Sequence, residues 1–139
     1  MTLLTLFSAP KPFTDPHIAM IQRNAIRSWT LLPDVEIILL GAEEGLAQAA
    51  KEFGVKHLPD VERNESGTPL ISSMFQLAQE NSHSDLLCII NTDMILVSDF
   101  LEAANFVGLA IIITLVVFAF YSDFQRIGLF TSIQKFLKL

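Results

Sequence analysis

The chain has little cysteine, little charge and very little positive charge, and each shortage excludes a class of protein. Cys88 is the only cysteine in 139 residues. No intrachain disulfide and no thiolate metal cluster is open to it, and its place in the apolar run Leu86–Asn91 predicts a small buried core residue. Charged residues make up 17%, below the quarter or so found in soluble domains. Over residues 1–102, fourteen Asp and Glu face six Lys and Arg. So acidic a body has no basic face with which to displace counterions, which excludes a nucleic-acid partner. Residues 103–139 reverse the balance, with Asp123 against Arg126, Lys135 and Lys138.

Several motifs are missing as well. There is no G-x-x-x-x-G-K-[ST] and no G-x-G-x-x-G, so neither a P-loop nor a dinucleotide fingerprint is present. No serine stands in a G-x-S-x-G elbow. His17, His57 and His83 are scattered without metal-ligand spacing, which argues against a zinc site. The run Met1–Phe7 has no cationic leader and soon meets Pro10 and Pro12. It reads as a first strand rather than a signal peptide, with the N-terminal part in the cytoplasm.

What is present is an alternation. Residues 2–8 are apolar and β-branched and end in Ala9-Pro10-Lys11-Pro12, a strand and a loop. Asp15-Pro16 supplies a helix cap and a proline at the first helical position. Ile18, Ile21, Ala25, Ile26 and Trp29 then recur at helical spacing, with Trp29 as the anchor on the core. Arg23 and Arg27 lie an i, i+4 step apart at the edge of that face. Pro33-Asp34 ends the helix. Val35–Leu40 is a nearly continuous apolar run, as expected of a strand covered on both sides. A helix over Glu43–Phe53 with Gly54 as its C-cap follows, then a strand over Val55–Leu58 and a polar loop from Asp60 to Pro69. A helix over Leu70–Glu80, a strand over Leu86–Asn91 and a helix capped by Asp99 complete the series. Strand and helix alternating through short connections predict βαβ units, hence an α/β fold with a parallel sheet and flanking helices. Ligands of such sheets bind at the carboxyl ends of the strands.

One of those ends carries chemistry. Leu86-Leu87-Cys88-Ile89-Ile90-Asn91-Thr92-Asp93 puts a carboxylate just past a buried strand. The period of two sends Asn91 and Asp93 to the same side. Two oxygen donors suit a hard divalent ion, Mg²⁺ or Mn²⁺, completed by diphosphate oxygens and water. Such an ion neutralises a leaving diphosphate. An Asp after a strand also simply ends strands and caps turns, which is the commoner role.

Three blocks in order resemble family-2-like glycosyltransferases of the GT-A (nucleotide-diphospho-sugar transferase) fold. Glu36-Ile37-Ile38-Leu39-Leu40-Gly41-Ala42-Glu43-Glu44-Gly45 resembles their second strand and acidic turn. Arg63-Asn64-Glu65-Ser66-Gly67-Thr68-Pro69 resembles their Asn-x-x-Gly loop. Asp85 to Glu102 resembles the segment around their DXD motif, including the downstream Asp99-Phe100-Leu101-Glu102 helix start. The resemblance implies a GT-A/Rossmann-like sheet and a nucleotide-sugar donor. It implies Asp93 and Asn91 as ligands of Mn²⁺ or Mg²⁺ and of the diphosphate, with Asn91 where the family usually has its first Asp. Ala9, Pro10 and Lys11 would border the base and ribose, and Arg63 would face a phosphate. The family's base-contacting Asp has no counterpart at Gly41 and Ala42, and Glu43 and Glu44 come slightly later.

The end of the chain changes character. No charge falls between Glu102 and Asp123, and Phe106–Tyr121 is almost wholly apolar. A spanning helix needs about 20 such residues. The cations beyond it would place the C-terminus in the cytoplasm and the N-terminal part outside, against a cytoplasmic donor. Three readings stand: a membrane contact through residues 106–121, a buried helix or strand, or out-of-frame sequence, the last slightly favoured. The expected organisation is therefore an incomplete nucleotide-sugar-binding domain over 1–105, followed by a hydrophobic segment and basic tail over 106–139. Asp123 is the only acidic side chain in that tail, so no catalytic base is assigned. The expected function is glycosyltransferase-like donor binding, inactive alone. The alternative is a small membrane-anchored interaction protein without catalysis.

Overall fold

A computed structural model describes residues 3–84 and 86–106. Along these the elements are β1 (Leu4–Ser8), α1 (Pro16–Thr30), β2 (Val35–Leu40), α2 (Leu46–Phe53), β3 (Lys56–Leu58), α3 (Ile71–Asn81), β4 (Leu87–Ile89) and α4 (Asp99–Phe106). The four strands form one sheet in the order β3-β2-β1-β4, every pair parallel. The expected α/β architecture is therefore present.

Strand order and helix placement share one cause. Right-handed crossovers that step from β1 to β2 to β3 must keep their helices on one face, and a crossover that doubles back must use the other. Accordingly α1 and α2 pack on Leu4, Leu6, Ile37 and Leu39, with Ala25, Ile26, Trp29, Leu46 and Ala50 as their contribution. The α3 helix covers the opposite face, setting Met74 and Ala78 against Phe7, Ile38 and Leu40. Phe75 meets Phe7 edge-on, the ring centroids 4.9 Å apart. The two central strands are buried on both sides, which accounts for the apolar run Ile37–Leu40 in β2. Burying each such side chain stabilises by about 1.5–3 kcal/mol.

Local signals explain most boundaries. Asp15 accepts from the backbone N–H of His17 and Ile18, capping α1, and Pro16 follows at the first position. Those bonds draw its carboxyl below the ordinary value. Gly54, with φ of 66°, closes α2 as expected. Three features near the site differ from the sequence expectation. The α2 helix begins at Leu46 instead of Glu43, because Gly45 takes a left-handed φ of 82° that breaks the first turn. The β4 strand stops at Ile89, so Asn91 to Asp93 belong to a turn rather than to a pleat. Cys88 is half-buried on this edge strand instead of fully enclosed, although burial still pushes its thiol up to about 11.

The apolar run expected over 106–121 lies, beyond Phe106, outside the described residues, as does the basic tail. Among the described residues no helix is long and apolar enough to cross a membrane.

Candidate functional site

The chain doubles back between β1 and β4, so the loops after these two neighbouring strands lie side by side at the carboxyl end of the sheet, the place where the ligand crevice of such sheets forms. Ala9, Pro10 and Lys11 leave β1 on one side, and Asn91, Thr92 and Asp93 leave β4 on the other. Ile90 continues the pairing, its N–H donating to the Phe7 carbonyl at 3.0 Å. Just above, the Ser8 and Thr92 hydroxyls meet at 2.8 Å, both buried. This bond closes the floor of the crevice and turns Thr92 inward. Its neighbours Asn91 and Asp93 are both left exposed. The pair is exposed by a turn around a buried threonine, not by the pleat of a strand.

Both walls are held by α1. The buried Gln22 amide takes the Lys11 N–H on its Oε1 at 2.7 Å and donates from Nε2 to the Lys11 carbonyl at 3.0 Å. On the other wall, the Trp29 indole donates to the Met94 carbonyl at 2.8 Å, and the Ser28 hydroxyl accepts the Leu96 N–H at 3.0 Å. Trp29 is fully buried. It anchors the helix as expected and also ties down the segment after Asp93.

Arg63 stands elsewhere. It follows β3, at the opposite edge of the sheet from β4, and its guanidinium is spent on the Glu43 carboxylate and on the Gly67 carbonyl. The loop it belongs to is closed on itself. Asn64 accepts the Ser66 and Thr68 N–H groups on its side chain, and Arg63 bridges to Pro69. Glu43 lies against Gly41, whose carbonyl meets the His57 ring at 2.7 Å. The second Glu43 oxygen is buried without a hydrogen-bond partner. Ala9, Pro10 and Lys11 thus follow β1, and Asn91 and Asp93 follow its neighbour β4, whereas Arg63 follows the far edge strand β3.

Asp93 and Asn91 offer one carboxylate and one amide oxygen. Among the described residues no three His, Cys, Asp or Glu side chains gather around one point. This donor set fits a hard ion that arrives with a diphosphate supplying most of its ligands, and does not fit a resident metal caged by protein.

Sequence reasoning missed Ser8, Gln22, Ser28 and Thr92. Gln22 had a signal, being polar on the core-facing stripe of α1, beside Ile18, Ala25 and Ile26. Ser8 and Thr92 had none, because their bond joins positions far apart in the chain. No family model matches this chain, and no curated protein matches it.

Proposed function

We propose that the crevice between β1 and β4 binds a nucleotide-diphospho-sugar together with Mn²⁺ or Mg²⁺, in the manner of a GT-A glycosyltransferase donor site. The observation that carries this reading is the buried Ser8–Thr92 bond. It leaves Asn91 and Asp93 exposed together at the reversal point of a parallel sheet. Asp93 and Asn91 would ligate the ion, which would neutralise charge on the diphosphate. Ala9, Pro10 and Lys11 would line the nucleotide side. Phosphate ligands complete the ion's shell, so metal and donor are expected to bind together and poorly apart.

The test is calorimetric titration of the full chain with common sugar nucleotides, with and without Mn²⁺. Metal-dependent binding in the micromolar to millimolar range is the expected result. Asp93→Ala is expected to abolish it and to leave the circular dichroism spectrum and the melting temperature unchanged, since this side chain is exposed. Absence of binding to any common sugar nucleotide at millimolar ligand would end the donor reading. Equal binding by Asp93→Ala would end the site assignment.

A further inference from the structure

We infer that Gln22 is a positioning residue for this crevice, holding Lys11 so that its ammonium meets the diphosphate of the donor. The inference rests on the donor-binding reading above. Lys11 has an exposed side chain on a backbone that is restrained from every direction. Pro10 and Pro12 flank it, and a residue before proline is confined to extended conformations. Gln22 takes both of its main-chain polar groups, at 2.7 and 3.0 Å. The next turn is tied across to β2's loop by the Phe13 N–H on the Glu44 carbonyl at 2.9 Å.

Of the described cations without an ion pair, Lys11, Arg27 and Lys51, only Lys11 stands in a loop that follows a strand; the others lie on α1 and α2. Two cations stand in loops at the carboxyl end of the described sheet, Lys11 and Arg63. Arg63 is paired with Glu43, and Lys56 and Arg23 are paired with Glu36 and Glu52. Lys11 makes no ion pair among the described residues. A fixed main chain, an uncommitted ammonium and an otherwise acidic body together describe a group kept for an anion. Satisfying loop backbone groups is the ordinary use of a buried amide. That use alone would not make the losses from removing Gln22 and Lys11 overlap, so the two roles are separable.

The experiment takes the full chain and Gln22→Met, which keeps the length and loses both hydrogen bonds. It also takes Lys11→Met, the double variant, and Ala78→Gly in α3 as a destabilised control away from the crevice. Amide exchange followed by NMR reads the clamp, and calorimetry with UDP-glucose and Mn²⁺ reads the function. In the parent, the Lys11 amide is expected to be protected despite its exposed side chain. Gln22→Met should speed its exchange at least tenfold. It should also weaken UDP-glucose about tenfold, Ala78→Gly leaving affinity unchanged. Lys11→Met should lose a similar factor, and the double variant no more than the larger single loss. An unprotected Lys11 amide in the parent overturns the clamp, whether or not any variant folds. Faster exchange with unchanged affinity, or additive losses in the double variant, overturns the positioning role. A parent that is protected at Lys11 yet binds no sugar nucleotide overturns the donor reading and the diphosphate role with it, leaving the clamp as structural.

Discussion

Gly41 shows how much a single position can carry without any chemistry of its own. Its φ is 116°, and a Cβ built there would run into the ends of the paired Glu43 and Arg63 side chains. Any side chain must therefore strain the backbone and also push apart the ion pair that joins the β2 turn to the loop before α3. Gly54 has φ of 66° and open space around it, so its substitution meets backbone strain alone. Gly41→Ala is expected to destabilise by about 3 kcal/mol or more and Gly54→Ala by about 1 kcal/mol. Urea denaturation of both variants checks the ranking, and equal losses would show that the Glu43 contact is unimportant. The hydroxyl pair at the crevice floor belongs to the same scale. Thr92→Val keeps the shape but leaves the buried Ser8 hydroxyl short of a partner. It should cost about 1–2 kcal/mol in the same measurement and lower sugar-nucleotide affinity.

At the scale of elements, α1 does more than fill the core. Its buried face puts Ala25, Ile26 and Trp29 on the sheet, while Gln22, Ser28 and Trp29 reach past the sheet to the loops on both sides of the crevice. The stretch after Asp93 has no secondary structure until α4 and exposes Met94, Ile95 and Val97. Leu96 packs on the core, and the two bonds from Ser28 and Trp29 tie the rest of the stretch to α1. Ser28→Ala combined with Trp29→Phe should speed chymotrypsin cleavage between Met94 and Phe100 several-fold. Cleavage in the α3 region should change little. Uniformly faster cleavage would mean that the pair stabilises the whole fold rather than this loop.

At the scale of the whole described unit, Glu36 ties together three strands and a loop. It accepts from Thr5 of β1 at 3.1 Å, from Lys56 of β3 at 2.9 Å, and from the His83 backbone N–H at 2.9 Å and ring at 3.1 Å. Burial by itself would raise its carboxyl, but these donors outweigh it and hold Glu36 down to about 2, from an ordinary 4.5. A folded value below the unfolded one means that the ionised group contributes its full stability above pH 4.5. That contribution fades as pH falls toward 2. Stability measured by urea should drop across this window. Glu36→Gln should be less stable than the parent at pH 7, and the difference should shrink as acid is added. A constant difference from pH 7 to pH 2 would show that the donors do not favour the ionised form.

The pattern of apolar runs and turn residues was enough to determine the parallel α/β class, because burial on both faces leaves β1 and β2 few polar positions, Thr5, Ser8 and Glu36. Asp15-Pro16 and Gly54 likewise marked their helix ends, since capping is decided within a few residues. Tertiary structure decided what depends on distant groups meeting. The strand order that opens the crevice, the Ser8–Thr92 floor, the Gln22 hold on Lys11 and the pairing of Arg63 with Glu43 all join residues on different elements. Local propensity cannot specify such pairs, because each partner is an ordinary polar residue until the fold brings the other within hydrogen-bond reach.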